Sequence, residues 1–292
     1  MKQTRDLVLK AATSPVSSRW RVVLFEDADR ATEQAANALL KAIEEPAPRT
    51  VWLLCAPYAD DMPVTIRSRC RLVTLRTPPT SAVAAVLQAE GIGAEQALEA
   101  ARTAGGHIGR ARRLATDPEA ARRRDEVLAV PGRVNRLGDA LAAADALVKA
   151  AKVEADAVTG ELDEPEREAM RRAFGEGSTG KGVAAAIRGG AGALRDLEAR
   201  QKSRATRVQR DSLDRALLDL AGFYRDVLAV QLRSGVELAN EGRRDEIGRL
   251  AAATRPEITV RRIEAIMRCR DRLAASVAPL LAVEEMTIAL VP

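Results

Sequence analysis

Short apolar runs alternate with helical patterns over residues 21–75. The β-branched and apolar runs Arg21–Phe25 and Val51–Cys55 predict buried strands, and Leu72–Leu75 predicts a third. Between the first two runs, apolar positions recur at helical spacing over 35–43. Strands that alternate with helices favour βαβ units and a parallel sheet.

From Thr80 onward the spacing of apolar positions is helical throughout. Four short helices are predicted first, at Ser81–Glu90, Ala94–Ala104, Ile108–Ala115 and Pro118–Val130. Longer Ala/Leu/Arg helices are expected after Pro131-Gly132, at about 134–158, 163–174, 182–205, 206–234, 242–253 and 256–290, the last broken near Pro279. The expected fold class is therefore α/β followed by all-α. Its divisions are a partial parallel-sheet domain over 1–77, a small helical domain over 78–132 and a helical bundle over 133–292.

The composition is that of a globular protein, with 47% hydrophobic and 30% charged residues. Aromatic residues make up only 2%, so the cores must consist mainly of Ala, Leu, Val and Ile, which suits close-packed helices. Cys55, Cys70 and Cys269 lie far apart and His107 is the one histidine, which argues against a disulfide scaffold and a metal site. His107, beside two glycines, is expected to start a helix. Neither a membrane span nor a signal peptide is visible, so a soluble cytoplasmic protein with no membrane partner is expected.

The net charge of +5 permits an acidic partner such as DNA. However, 46 positive residues stand against 41 negative ones, so the excess is mild. The basic stretches Arg110–Arg124 and Arg200–Arg210 could contact DNA phosphates. They lack stacking aromatic residues and are interleaved with acids or lie on long predicted helices, which favours solvated helix faces.

An acidic pair, Glu26-Asp27, follows the first predicted strand. Carboxylates at the carboxyl end of such a strand hold magnesium in nucleotide-hydrolysing proteins. Taken alone, the pair is more typical of acids that favour the N-terminus of the next helix.

Neighbouring motifs change that balance. The run VVLFEDADRATEQAANALLKAIEEP (Val22–Pro46) is followed by TVWLLCAP (Thr50–Pro57) and TIRSRC (Thr65–Cys70). In this order and spacing they resemble the clamp-loader branch of the AAA+ ATPases, in particular the delta-prime family of bacterial DNA polymerase III. The most specific pieces are Asn37–Pro46 and the Ser-Arg-Cys triplet. The resemblance implies a RecA-like domain, a helical lid and a helical collar, in the order already predicted.

The resemblance assigns Ser68, Arg69 and Cys70 to an arginine-finger motif. Arg69 would supply positive charge in trans to ATP and magnesium held by a neighbouring gamma/tau subunit, where the transition state gains most from it. The alternative is a surface arginine in a salt bridge. Cys70 is expected to be a packed small hydrophobe.

Several parts of an active ATPase are missing. The phosphate loop G-x-x-x-x-G-K-[ST] does not precede Glu26, and the similar run Gly175–Lys181 follows a predicted helix and lacks the final Ser/Thr. Glu26-Asp27 reverses the Asp-Glu order of active relatives, so it is a degenerate Walker B pair. Ala56-Pro57 replaces the polar residue expected after the second strand, and Gly109 stands where the lid arginine is expected, with Arg110 next to it. These departures predict no hydrolysis and no cofactor bound by this chain.

The sequence also begins late relative to the family's domain, at the helix before the acidic-pair strand. A truncated gene model or a fragment is therefore expected. The family's first strand lies between the strands that match 51–55 and 72–75, so Leu72–Leu75 would lose its neighbour.

The predicted function is a non-hydrolysing clamp-loader subunit that helps to load the sliding clamp on primed DNA. Its implied partners are the gamma/tau and delta subunits, and, through the assembled complex, the clamp and primer-template DNA. The alternative is a basic helical DNA-binding protein with a relic AAA+ segment. An independent ATPase is a third hypothesis, and it would require this chain alone to bind ATP tightly.

Overall fold

The computed structural model describes residues 2–13, 18–26, 28–56, 58–173 and 183–292. Asp27, Pro57 and the glycine-rich run Gly175–Lys181 lie outside the described residues. The chain forms two compact units, Met1–Arg76 and Thr77–Pro292.

The first unit contains a small parallel sheet. Its elements are α1 (Lys2–Ala11), β1 (Arg21–Phe25), α2 (Glu33–Glu44), β2 (Thr50–Leu54) and α3 (Val64–Arg67), with short 3-10 turns at Ala28–Arg30 and Ala59–Asp61. β1 pairs with β2 in parallel, in a register that runs from Arg21 opposite Thr50 to Phe25 opposite Leu54. The first two predicted strands and the helix between them are confirmed.

α2 covers one face of this sheet. The hydroxyl of Thr32 caps the helix by accepting a hydrogen bond from the Ala35 amide at 3.3 Å. Ala36 on α2 packs with the buried side chains of Met62 and Ile66 in one apolar cluster. On the opposite face the side chains alternate outward and remain exposed, namely Val22, Leu24, Val51 and Leu53.

The third predicted strand, Leu72–Leu75, is wrong. Residues 71–79 have no regular secondary structure, and Leu72, Val73 and Leu75 are exposed. A strand forms only where a neighbour accepts and donates its backbone hydrogen bonds. Within the described residues the sheet consists of β1 and β2, and neither pairs with this segment.

In the second unit, the regular elements of the described residues are all helices. Its elements are α4 (Thr80–Ala89), α5 (Ala94–Ala104), α6 (Ile108–Thr116), α7 (Pro118–Leu128), α8 (Val130–Arg133), α9 (Leu137–Ala173), α10 (Val183–Gln231), α11 (Arg244–Ala253), α12 (Pro256–Ala274) and α13 (Pro279–Ala289). The break expected near Pro279 is confirmed, because α12 ends five residues before it and α13 starts on it.

Two other expected helix breaks are absent. The helices predicted at 134–158 and 163–174 form one helix, α9, and those predicted at 182–205 and 206–234 form α10. Hydrogen bonds join α9 and α10 close to both expected breaks. Arg204 donates to the Asp163 carboxylate at 3.0 Å, and Gln201 donates to the Asp163 backbone carbonyl at 3.0 Å. Such tertiary contacts override local propensity.

The main core of the second unit lies along α10. Leu213, Leu217, Leu220 and Tyr224 are buried among side chains of α9, α12 and α13. The guanidinium of Arg262 lies 5.7 Å from the centre of the Tyr224 ring, within range of a cation–π contact. Phe223 and Tyr224 are the largest fully buried side chains among the described residues of the second unit.

A buried carboxylate fixes the loop after α10. Asp226 is fully buried and accepts hydrogen bonds from the backbone amide and the side-chain amide of Asn240, both at 2.8 Å, and from the Ala239 amide at 3.2 Å. The Asn240 side chain in turn accepts a hydrogen bond from Arg124. This network ties α7 and α10 to the loop.

Within the described ranges, no helix has the length and apolar character needed to cross a bilayer. The same part of the chain has no cluster of three or more His, Cys, Asp or Glu side chains that could hold a metal ion.

Candidate functional site

Arg69 lies in a tight turn directly after α3. Ile66 anchors that turn, since its side chain is 1% exposed in the cluster beneath α2. The Arg69 amide donates to the Ile66 carbonyl at 3.0 Å, and the Cys70 amide donates to the Arg67 carbonyl at 3.2 Å. The backbone therefore fixes the direction in which Arg69 leaves the fold.

The guanidinium of Arg69 is held on two sides. Its Nη1 donates to the Thr65 carbonyl at 2.7 Å, and its Nε forms an ion pair with Glu44. The hydroxyl of Ser68 lies 3.4 Å from Nη1 and donates to the same Thr65 carbonyl at 3.3 Å. The Arg69 side chain nevertheless remains 38% exposed. The arrangement presents a positioned positive charge to solvent.

Glu44 lies at the end of α2, inside the run Asn37–Pro46 that was singled out in the sequence. Its ion pair with Arg69 therefore joins the two most specific motifs of the first unit. Sequence reasoning missed this role of Glu44. The sequence does not mark this role, because Glu44 is one of two adjacent acidic residues before Pro46.

Cys70 is exposed, so the expectation that it packs as a small hydrophobe is wrong. The residue follows the last hydrogen-bonded turn of α3, and only part of its surface is covered. That partial burial raises the pKa of the Cys70 thiol. A raised pKa lowers the thiolate fraction at neutral pH and with it the nucleophilic character.

Glu26 is exposed at the carboxyl end of β1, as expected from the sequence. The ends of the two strands are joined there, because the Cys55 amide donates to the Phe25 carbonyl and the Ala28 amide donates to the Cys55 carbonyl, each at 2.9 Å. Asp27, the second member of the acidic pair, lies outside the described residues.

His107 starts a helix, as predicted. Its Nδ1 accepts a hydrogen bond from the Arg110 amide at 3.1 Å and so caps α6. The preceding Gly106 has a φ of +92°, and a Cβ there would lie 2.3 Å from the Thr77 side chain. Both observations require glycine at this position.

The basic stretch Arg110–Arg124 is only partly a solvated face, which corrects the sequence prediction. Arg110 and Arg124 both bind the buried carboxylate of Asp219, Arg124 at 2.9 Å. Arg112 and Arg122 do remain exposed, in ion pairs with Glu90 and Glu119. The pattern of charges along the chain did not reveal which arginines have a partner on a distant helix.

A second buried carboxylate, Glu154 on α9, forms ion pairs with an arginine of this stretch and an arginine of α10. It binds Arg113 and Arg215, the latter at 3.0 Å, and accepts a hydrogen bond from the Ser212 hydroxyl. Burial raises the pKa of Glu154, but the hydrogen bonds from Ser212 and Arg113 together with the positive charges of Arg215 and Arg113 outweigh it, so that the pKa lies below its ordinary value. Glu154 is therefore a carboxylate at neutral pH.

One arginine of the second basic stretch, Arg200–Arg210, also has acidic partners on another helix. Arg204 binds Asp163 at 3.0 Å and Glu166 at 2.8 Å across the α9–α10 contact. The expected solvated face is thus wrong for Arg204, whose charge is neutralised by α9.

The N-terminal residues of the chain are similar to known proteins. Residues 1–79 match the family model described as DNA polymerase III, delta subunit. The chain is 42% identical over 76 residues to the DNA polymerase III subunit delta' of Haemophilus influenzae and 41% identical over 81 residues to that of Escherichia coli. The N-terminal segment is delta-prime-like.

The delta-prime-like segment is a minor share of each protein. The two alignments cover 26% and 28% of this chain, and 23% and 24% of the two delta' proteins. The DNA polymerase III subunit tau of Escherichia coli is 36% identical over 70 residues, which cover 24% of this chain and 11% of that protein. Arg69, Glu44 and Glu26 all lie inside the segment that matches the family model.

Proposed function

We propose that this chain acts as a delta-prime-like, non-hydrolysing subunit of a bacterial clamp loader and supplies Arg69 to a neighbouring ATP site. The observation that supports this most is the Arg69 side chain, which is held by Glu44 and Thr65 yet partly exposed, in a segment similar to delta' subunits. A surface arginine in a simple salt bridge is the competing interpretation. The hydrogen bond to Thr65 fits both interpretations, since an arginine that follows a helix can cap one of its last carbonyls, and the experiment below decides between them.

The chemistry suits an arginine finger of the AAA+ type. Hydrolysis of ATP develops charge on the γ-phosphate, and a preorganised guanidinium at that point stabilises the transition state. Glu44 fixes the direction of Arg69 before assembly, while a phosphate of higher charge competes for the same donors once a neighbour is present. Ser68 adds a hydroxyl beside the guanidinium.

The nucleotide and magnesium belong to the neighbour in this proposal. Two features of this chain support that assignment: the acidic pair Glu26-Asp27 has the reverse of the Asp-Glu order, and Arg110 is held by Asp219. The gamma/tau subunit is the proposed holder of ATP. Delta, the sliding clamp and primer-template DNA are the further proposed partners. Residues 78–132 are the proposed lid domain and residues 133–292 the proposed collar domain. The complex is proposed to act in the cytoplasm.

The test is ATP hydrolysis by a loader reconstituted from this chain with gamma/tau, delta, clamp and primed DNA. Arg69→Ala is expected to lower the hydrolysis rate by about tenfold or more, since removal of a single transition-state donor has effects of that size. Arg67→Ala is the matched control, because Arg67 lies two residues away and its ion pair with Asp60 is also exposed. Assembly, followed by gel filtration, is expected to survive both changes.

Equal rates for Arg69→Ala and Arg67→Ala would overturn the finger role. Failure of this chain to assemble with gamma/tau and delta would overturn the proposed function as a whole. An equilibrium titration of the isolated chain with ATP tests the hypothesis of an independent ATPase, which requires tight binding of ATP by this chain alone.

A further inference from the structure

The second unit contains a cavity that the clamp-loader proposal does not use. It has a volume of about 620 Å³ and is lined by α6, α7, α8, α9 and α10. Cavities of roughly 300–1,000 Å³ are typical of sites for small molecules. The cavity lies entirely within residues 110–219, all of which belong to the second unit.

One wall of the cavity is apolar. Ala143, Ala146, Leu147 and Ala150 line it from α9, at the spacing of a single helix face. Leu213 and Ala216 line it from α10. The small alanine side chains leave the space open and provide no hydrogen-bonding groups, so this wall suits an aliphatic or aromatic body.

The polar part of the lining is cationic. Six arginines and four carboxylates line the cavity. Two of the carboxylates are the buried Asp219 and Glu154, which are already bound to Arg110, Arg124, Arg113 and Arg215. These four arginines are therefore held in place as part of the framework.

The remaining two arginines, Arg123 and Arg133, have donors to spare. The guanidinium nitrogens of Arg123 lie 3.5 Å, 3.8 Å and 3.9 Å from carboxylate oxygens of Asp117, Glu154 and Glu119. These distances are too long for strong hydrogen bonds. Among the described residues, the Arg133 side chain has neither an ion pair nor a hydrogen bond to the protein. Both guanidinium groups line the same cavity as the alanine wall.

We propose that this cavity binds a small amphipathic monocarboxylate, with its carboxylate on Arg123 and Arg133 and its apolar body on the alanine wall of α9. Bidentate guanidinium–carboxylate pairing explains the choice of anion. A molecule of about ten heavy atoms fits the volume with room for water.

The experiment is isothermal titration calorimetry of the full chain with octanoate, with octanol as the neutral analogue and with inorganic phosphate as the anion without an apolar body. Octanoate is expected to bind at least about tenfold more tightly than either, since charge-assisted hydrogen bonds and apolar contact both contribute. The double variant Arg123→Gln/Arg133→Gln is expected to weaken octanoate by about tenfold or more and to leave octanol unchanged. Arg172→Gln/Arg268→Gln removes the same charge from exposed positions whose ion-pair partners also lie outside the lining, and this variant is expected to bind octanoate normally.

A second pair of variants tests the apolar wall. Ala146→Trp places a large side chain in the lining from α9 and is expected to abolish octanoate binding, whereas Ala157→Trp changes an equally exposed position of the same helix outside the lining and is expected not to. Equal binding of octanoate and octanol would overturn the carboxylate role, and displacement of octanoate by phosphate would overturn the need for an apolar body. Unchanged octanoate binding by the double arginine variant, whose fold circular dichroism would verify, would overturn the site.

Discussion

Glu44 at the end of α2 forms an ion pair with Arg69, which lies 25 residues further along the chain in the turn after α3. Neither side chain is buried, so the pair contributes little to the stability of the fold. Its effect is on geometry, because it selects one direction for a guanidinium that would otherwise sample many. The pair links the helix motif and the Ser-Arg-Cys motif of the delta-prime-like segment into one site.

Glu44→Gln is therefore expected to act on catalysis more than on folding. In the reconstituted loader we expect the kcat of ATP hydrolysis to fall by about threefold to tenfold with little change in KM, a smaller loss than for Arg69→Ala, since the guanidinium remains but is less well oriented. Glu45→Gln, the exposed neighbour, is the control. A higher kcat for Glu44→Gln would show instead that Glu44 restrains Arg69 away from the ATP.

Ile66→Ala is expected to destabilise the first unit by about 2–4 kcal/mol, because the deletion leaves a cavity beneath α2. Both tryptophans of the chain, Trp20 and Trp52, lie in this unit, so tryptophan fluorescence during urea unfolding monitors it selectively. Val64→Ala removes an exposed side chain from the same helix and is expected to change stability by less than about 0.5 kcal/mol. A similar shift for both variants would contradict the anchoring role of Ile66.

Asp226→Ala is expected to destabilise the second unit by about 2–4 kcal/mol, because it leaves the buried amides of Asn240 without an acceptor. Urea unfolding followed by circular dichroism measures the loss. The control is Asp271→Ala, at an exposed position on α12. If Asp226→Ala unfolded at the same urea concentration as the control, the network around Asn240 would not stabilise the unit.

Glu154 makes stability depend on pH. Its folded pKa lies below the ordinary value of 4.5, so the carboxylate contributes stability above that value and loses it as the pH falls through the folded pKa. The free energy of unfolding is expected to drop between about pH 5 and pH 3, and Glu154→Gln is expected to remove part of that drop. Urea unfolding at several pH values measures it, and an identical pH profile for the variant would exclude Glu154 as a source.

The sequence predicted what depends on neighbouring residues and missed what depends on distant ones. β1, α2 and β2 follow from apolar spacing and from the cap at Thr32, which are local signals. Leu72–Leu75 has the same local signal and is not a strand, since strand formation also needs a partner. The helix breaks expected near 160 and 205 failed for a similar reason, because contacts such as Arg204–Asp163 join α9 and α10 at those points.

Of the candidate site, the sequence likewise indicated the residues of the motif but not their partners. The motif identified Arg69 and Ser68, and the glycines beside His107 indicated a helix start. The partners Glu44, Glu154 and Asp219 could not be predicted, because each is one of many acids on a helical pattern. Only the packing of the helices determines which of them meets an arginine.

The exposed segment Leu72–Leu75 has a consequence for handling the protein. Val73 and Thr74 favour extended backbone, and the exposed leucines on either side make the segment able to pair with a copy of itself. Arg71 and Arg76 flank the segment directly. Such flanking charges act as gatekeepers, since stacked copies would bring like charges together. We expect the protein to stay dispersed at low ionic strength and to aggregate as salt screens these two arginines.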